Sequence, residues 1–153
     1  VPLYCSLVAL LYKGQPMIGV IANPPSGEWV SACIGLGCRR DGGKTLGLTA
    51  PQKTLRICTS DFADLQRNSP SWLPSLLQVG ATARTWGDAY GYLLLLTGRA
   101  DIMIDPELSV WDIAPMYPLL EEAGGVLCDF KGKEAVLPEQ AVACSRELFR
   151  QIF

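Results

Sequence analysis

The 153-residue chain contains no histidine, and none of its six cysteines belongs to a Cys-x-x-Cys pair. Zinc sites are built mainly from these two residue types, so the sequence argues against a zinc site. Cys5, Cys58, Cys128 and Cys144 lie in apolar runs typical of strands, where a free cysteine behaves as a small buried hydrophobic residue. We favour free thiols over a disulfide framework, which predicts a reducing compartment and hence a cytoplasmic location.

Long hydrophobic runs and a basic surface are also missing. The longest apolar run, residues 92–97, is far shorter than the roughly 20 residues that span a bilayer. The 13 basic and 15 acidic residues are scattered along the chain and leave a net charge of −2. This pattern argues against membrane and nucleic-acid partners and favours a small molecule.

The remaining composition is that of a globular protein with two kinds of pattern. Its 49% hydrophobic residues suffice for one domain-sized core. In residues 1–50, turn residues separate three strands that form an antiparallel meander, at 3–12, 17–22 and 28–33. The meander needs a covering element for one face, so we expect further sequence upstream of Val1.

Strands and helices alternate in residues 51–153. The predicted strands are residues 55–60, 81–85, 101–104, 126–130 and 141–145. The predicted helices are residues 71–78, 88–97, 112–123 and a last helix that runs to Phe153. The alternation predicts an α/β fold in which a mostly parallel sheet is flanked by helices.

Asp41-Gly42-Gly43-Lys44-Thr45 resembles the end of a phosphate-binding P-loop. That motif requires a glycine five residues before the glycine of Gly-Lys-Thr, where this chain has Cys38, and no apolar helix follows. We therefore predict a polar hairpin loop.

Residues 109–125 predict a helix with an acidic start. Asp112 is placed as the N-cap, Pro115 falls in the first turn, and Pro118 lies beyond it and should kink the helix. The glycine pair Gly124-Gly125 ends the helix. Asp112 can thus be a cap or a functional carboxylate.

Two other aspartates lie just beyond predicted strands, since Asp88 follows the strand at 81–85 by three residues and Asp105 follows the strand at 101–104 directly. The ligands of open α/β sheets bind beyond the carboxyl ends of the strands, so Asp88, Asp105 and Asp112 should gather at one rim. Each carboxylate can be an ordinary cap or turn residue. Together with two helix N-termini they would suit a phosphate ester held by Mg²⁺.

The segments Trp111-Asp112-Ile113-Ala114-Pro115 and Glu121-Glu122-Ala123-Gly124-Gly125 resemble the C-terminal signature of the inositol monophosphatase superfamily of Mg²⁺-dependent phosphatases. With Trp86-Gly87-Asp88-Ala89-Tyr90-Gly91, Thr97-Gly98-Arg99-Ala100-Asp101 and Asp105-Pro106, the chain is most similar to the histidinol-phosphatase branch. The resemblance implies part of an αβαβα layered sandwich and a homodimer.

The resemblance also implies roles for particular residues. Asp112 matches an aspartate that binds a catalytic Mg²⁺, and Gly87, Asp88 and Ala89 match a loop that contacts substrate. Asp105 matches an acidic residue that binds a substrate hydroxyl or amine. Ser60 has a weaker match to another substrate-contacting position.

The chain departs from the superfamily in one respect, because it has no Asp-Pro-Ile/Leu-Asp-Gly-Thr motif and no glutamate before it. These catalytic metal ligands are expected upstream of Val1, so the chain by itself should be nearly inactive. Three functions remain open. They are a phosphatase of small phosphomonoesters such as histidinol phosphate or inositol phosphate, a phosphatase of bisphosphorylated nucleotides or sugars, and a truncated non-catalytic binding or dimerisation module.

Overall fold

The computed structural model describes residues 2–48, 54–69, 71–78 and 80–153. The first part forms an antiparallel sheet, sheet A, whose strands follow one another in chain order. Its strands are β1 (Ser6–Tyr12), β2 (Gln15–Asn23), β3 (Glu28–Cys33), β4 (Gly37–Arg40) and β5 (Lys44–Thr45). Lys13 and Gly14, with φ of 51° and 78°, make the tight turn between the first two strands. The predicted meander is confirmed and is extended by a hairpin that contains Asp41–Thr45.

The second sheet, sheet B, has the order β7-β6-β8-β10-β9. Its strands are β6 (Arg56–Thr59), β7 (Thr82–Arg84), β8 (Ile102–Asp105), β9 (Gly125–Cys128) and β10 (Ala141–Ser145). β6 runs parallel to β7 and β8. β10 runs antiparallel to β8 and β9, so the sheet is mixed where the sequence predicted a mostly parallel one.

Helices fill the space between the sheets and cover the far side of sheet B. The helices are α1 (Phe62–Asn68), α2 (Trp72–Gln78), α3 (Ala89–Leu96), α4 (Val110–Ile113), α5 (Met116–Glu122) and α6 (Arg146–Ile152). α3 and α5 pack between the two sheets in one hydrophobic cluster, while α1, α2 and α6 pack in a second cluster on the other face of sheet B. The α/β fold class is confirmed.

The outer face of sheet A carries apolar side chains in contact with solvent. Val8 and Leu10 are 58% and 52% exposed. On the inner face, Ile21 and Val30 are fully buried against the helices. The described residues therefore form four of the five layers that the resemblance implied.

The predicted helix over residues 112–123 is wrong in its boundaries. Ser109 is the N-cap of α4, which runs from Val110 to Ile113, and α5 starts at Met116. Pro115 separates the two helices because it has no N–H to donate to the preceding turn. Pro118 lies in the first turn of α5, where it is tolerated, so the predicted kink occurs three residues earlier as a break between two helices.

Helix α1 was missed in the sequence. Asp61 precedes it and its Oδ1 accepts hydrogen bonds from the backbone N–H groups of Ala63 and Asp64, at 2.6 and 3.0 Å. This is the ordinary pattern of an N-cap. The apolar pattern behind it is weak, since Leu65 is the buried residue of this short helix.

Polar contacts join sheet A to the helical layer. The carboxylate of Glu122, at the end of α5, accepts hydrogen bonds from the backbone N–H groups of Gly35 and Gly37, both at 2.7 Å. Arg99, which follows α3, donates to Glu28 Oε2 at 2.7 Å. These contacts fix the β3–β4 hairpin and the start of β3 against the helical layer.

The six cysteines all lie in the described residues and are free thiols. Burial raises the pKa of Cys58 to about 11, so this thiol stays protonated and serves as packing. Across the described ranges, no helix is long and apolar enough to cross a membrane. The predicted boundary between residues 50 and 51 lies outside the described residues.

Candidate active site

Three aspartates from different elements meet at one cavity of about 430 Å³. Asp88 precedes α3, Asp105 ends β8, and Asp112 lies in α4. Because β6, β7 and β8 are parallel, their carboxyl ends share one edge of sheet B. The predicted gathering of the three carboxylates at this edge is confirmed, while their chemical roles stay predictions.

The cavity wall is acidic. Glu107 joins the three aspartates there, and the described lining residues include no lysine or arginine. Cys5 and Leu7, from the start of sheet A, close the opposite side. An uncompensated group of carboxylates attracts cations and repels a bare phosphate, so an anionic substrate needs a cation to enter this cavity.

Asp112 is not the N-cap that the sequence predicted. Ser109 occupies that position, in extended conformation, and Asp112 is the third residue of the helix. The backbone N–H of Ser109 donates to Asp112 Oδ2 at 3.1 Å. This contact is the reciprocal half of a capping box, and it orients the carboxylate at the cavity wall.

Asp88 has an unusual backbone. Its φ of 51° and ψ of −147° lie close to a region that glycine occupies almost exclusively. The residue stands at the N-cap position of α3, yet its side chain makes no capping hydrogen bond. Because the cap role is unfulfilled and the exposed carboxylate lines the cavity, the strain at Asp88 favours a functional interpretation.

Asp105 is 3% exposed and is held by one hydroxyl. Ser60 Oγ donates to Asp105 Oδ1 at 2.7 Å. Burial raises the pKa of Asp105 to about 7, the Ser60 hydrogen bond opposes this, and the nearby charges of Asp88 and Asp112 raise it further. At neutral pH this carboxyl is therefore poised to lose its proton when a cation approaches.

Gly87 and Ala89 have different positions. Ala89 lines the cavity. Gly87 packs against Ser60, because a Cβ on Gly87 would lie 2.1 Å from the Ser60 Cα. Gly87 thus shapes the loop rather than the cavity wall, and Ser60 belongs to the site through Asp105.

Tyr92 was missed by the sequence analysis, although it lines the same cavity. It lies within the apolar run of α3, four residues after Asp88, and so reads as part of the core. The helical spacing is the signal that could have found it, because residues i and i+4 lie on the same side of a helix.

Magnesium prefers oxygen ligands, and the carboxylates of the cavity are of that type. Among the residues that the structure describes, no three or more Asp, Glu, Cys or His side chains are grouped closely enough to hold a metal ion. The donor chemistry fits Mg²⁺, but a complete ligand set would need additional groups.

Comparison with known proteins agrees with the fold and identifies the family. The sequence model of the inositol monophosphatase family matches residues 1–152. A histidinol-phosphatase from Chlorobaculum parvum is 32% identical over 139 residues, which are 90% of this chain and 54% of that protein. A histidinol-phosphatase from Mycobacterium tuberculosis is 30% identical over an alignment of 163 positions, which covers 99% of this chain and 61% of that protein.

A solved structure of an inositol monophosphatase from Zymomonas mobilis superimposes with a TM-score of 0.86 at 20% identity, over 98% of this chain and 61% of that one. The structural likeness confirms the fold. The chain belongs to the inositol monophosphatase family. It spans 54% and 61% of the length of the two histidinol-phosphatases described above.

Proposed function

We propose that this chain forms the substrate-binding part of a Mg²⁺-dependent phosphomonoesterase that acts on histidinol phosphate or a similar amino-alcohol phosphate. The observation that carries the proposal is the acidic cavity, in which a buried carboxyl, Asp105, lies beside Asp88 and Asp112. Family membership and the similarity to two histidinol-phosphatases support it.

Each carboxylate has a distinct task in this proposal. Asp112, oriented by the Ser109 N–H, would be a ligand of Mg²⁺. Asp105 would bind the amine or hydroxyl of the substrate, with its charge restored by the approaching cation. Asp88 and Ala89 would contact the substrate from the start of α3, and Gly87 would hold their loop against Ser60.

When bound, Mg²⁺ would supply Lewis-acid polarisation of the phosphoryl group and offset the negative charge of the cavity. The residues of this chain bind and orient the alcohol portion of the substrate. Because the chain spans only 54% and 61% of the two histidinol-phosphatases, we further propose that it is part of a longer protein. Additional carboxylates would complete the catalytic centre there.

The structure favours a monophosphate over a bisphosphate substrate. A second phosphate needs a positive partner, and the described cavity wall has four acidic and no basic side chains. A cytoplasmic location, fitting the free thiols, and a homodimer complete the proposal. The remaining alternative is a non-catalytic binding module.

The first experiment is the intact mass and N-terminal sequence of the protein as its native source makes it. A native chain that is longer by on the order of a hundred residues and carries additional acidic motifs would support the phosphatase proposal. Such a length would agree with the two histidinol-phosphatases, of which this chain covers 54% and 61%. A native protein beginning near Val1 would leave the binding module as the better explanation.

The second experiment compares Asp112→Asn with the wild type in that native protein, using Mg²⁺ and histidinol phosphate. We expect kcat to fall at least about a hundredfold, because an amide is a poorer ligand for Mg²⁺ than a carboxylate. Folding should be largely preserved, since an asparagine oxygen can still accept the Ser109 hydrogen bond. Unchanged turnover would reduce Asp112 to a capping role.

A further inference from the structure

The Tyr92 hydroxyl is a buried polar group with no partner. The residue is 1% exposed, and its hydroxyl oxygen makes no hydrogen bond in the described part of the chain. Its ring packs in the apolar cluster between the sheets. Buried hydroxyls are nearly always hydrogen-bonded, so an unpaired one calls for a physical explanation.

The surroundings of this hydroxyl supply one. Tyr92 lines the acidic cavity, and the charges of Asp105 and Asp112 both act on it. Asp105 accepts a hydrogen bond from Ser60 and Asp112 accepts one from the Ser109 N–H, and neither carboxylate is bonded to the Tyr92 hydroxyl. The phenol is thus an unused hydrogen-bonding group in the wall of a cavity that attracts cations.

We propose that Tyr92 is a specificity-determining residue whose hydroxyl oxygen accepts a hydrogen bond from the ammonium group of the substrate, beside the carboxylate of Asp105. The inference rests on the proposed function and deepens it, since it names the substrate group that this part of the cavity selects. An ammonium group has three N–H donors, so it satisfies a carboxylate and a phenol oxygen together. An analogue of histidinol that lacks the amine has no donor at this position and leaves Tyr92 unpaired.

The test measures binding of L-histidinol to the native full-length protein in the presence of Mg²⁺, by calorimetry, for wild type and Tyr92→Phe. The paired ligand is the analogue of histidinol that lacks the amine. We expect Tyr92→Phe to weaken histidinol binding about tenfold and to change binding of the analogue less than twofold. Tyr90→Phe, on the same helix and away from the cavity lining, is the matched control and should bind both ligands like the wild type.

A thermal unfolding measurement without ligand separates this role from a structural one. Phenylalanine keeps the ring packing and removes an unpaired buried hydroxyl, so the melting temperature should be unchanged or higher. A lower melting temperature, equal loss for both ligands, or no loss for histidinol would overturn the inference. A wild type that binds histidinol no better than the analogue would overturn it as well.

Turnover of histidinol phosphate by the same proteins tests the proposed function separately. If the amine-dependent difference in binding is present but the wild type releases no phosphate, the phosphatase proposal fails and the ammonium site stands. If phosphate is released and Tyr92→Phe discriminates like the wild type, the proposed function stands and the inference fails.

Discussion

The two sheets of this molecule are buried in different ways. Along β2 in sheet A, fully buried residues alternate with partly exposed ones, because only one face packs on helices. In sheet B, every residue of β8, β9 and β10 is buried, since helices cover both faces. The acidic cavity opens at the edge of the fully covered sheet, and sheet A adds only a wall. The cavity that the carboxylates line thus lies where the backbone is fixed from both sides.

Truncation of one side chain in each sheet should show the largest difference. Ile104→Ala, in β8, removes a fully buried side chain and should lower the free energy of unfolding by about 2–5 kcal/mol. Leu10→Ala, on the outer face of β1, should change the free energy of unfolding by less than about 0.5 kcal/mol, because the Leu10 side chain is in contact with solvent. Urea unfolding of both variants measures the two values. A large loss in Leu10→Ala would mean that another element covers this face.

The buried carboxyl of sheet B should make stability depend on pH. Burial raises the pKa of Asp105 from its ordinary value of 3.8 to about 7, so between these two pH values the carboxyl is protonated in the folded chain and ionised in the unfolded chain. Its stabilising contribution is complete below about pH 4 and is lost as pH rises through 7, on the order of a few kcal/mol. Unfolding free energies in metal-free buffer from pH 4 to 8 measure this slope.

Two variants bracket that pH effect. Asp105→Asn cannot titrate and should flatten the slope between pH 4 and 7. Ser60→Ala removes the hydrogen bond that lowers the pKa of Asp105, so the loss of stability should extend to higher pH. Identical pH profiles for wild type and Ser60→Ala would show that the hydroxyl does not act on this carboxyl.

The contact between sheet A and the break between α4 and α5 should have a smaller effect. A Cβ on Gly19 would lie 2.1 Å from the backbone oxygen of Pro115, so Gly19→Ala must displace this junction. We expect a loss of about 1–3 kcal/mol in stability. Gly43→Ala is the control, because nothing lies within 4 Å of its Cβ, and equal stabilities of the two variants would contradict the close packing.

The sequence predicted where the three aspartates meet better than it predicted the details of the fold. Asp88, Asp105 and Asp112 were placed at one rim by a single rule about the carboxyl ends of parallel strands. That rule depends only on β7 and β8 running the same way, which the connecting helix α3 dictates. Ser60 was matched to the site only weakly, because a serine after a strand is common in turns.

Features that depend on contacts distant in sequence were harder to predict. The antiparallel direction of β10 follows from its pairing with β8 and β9, which local residue patterns do not encode. The division of residues 110–122 into two helices could have been read from Pro115, but Asp112 was taken as the cap in place of Ser109. Serine and aspartate are both favoured N-cap residues, so the residue type alone does not distinguish Ser109 from Asp112, three positions later.

At position 88, backbone stability and the acidic cavity favour different residues. Glycine would adopt its φ and ψ without strain, so selection for thermal stability alone would favour losing the carboxylate. Selection for the acidic cavity would retain aspartate and the strain with it. Position 88 is therefore a point at which selecting the protein for stability alone would act against the acidic cavity.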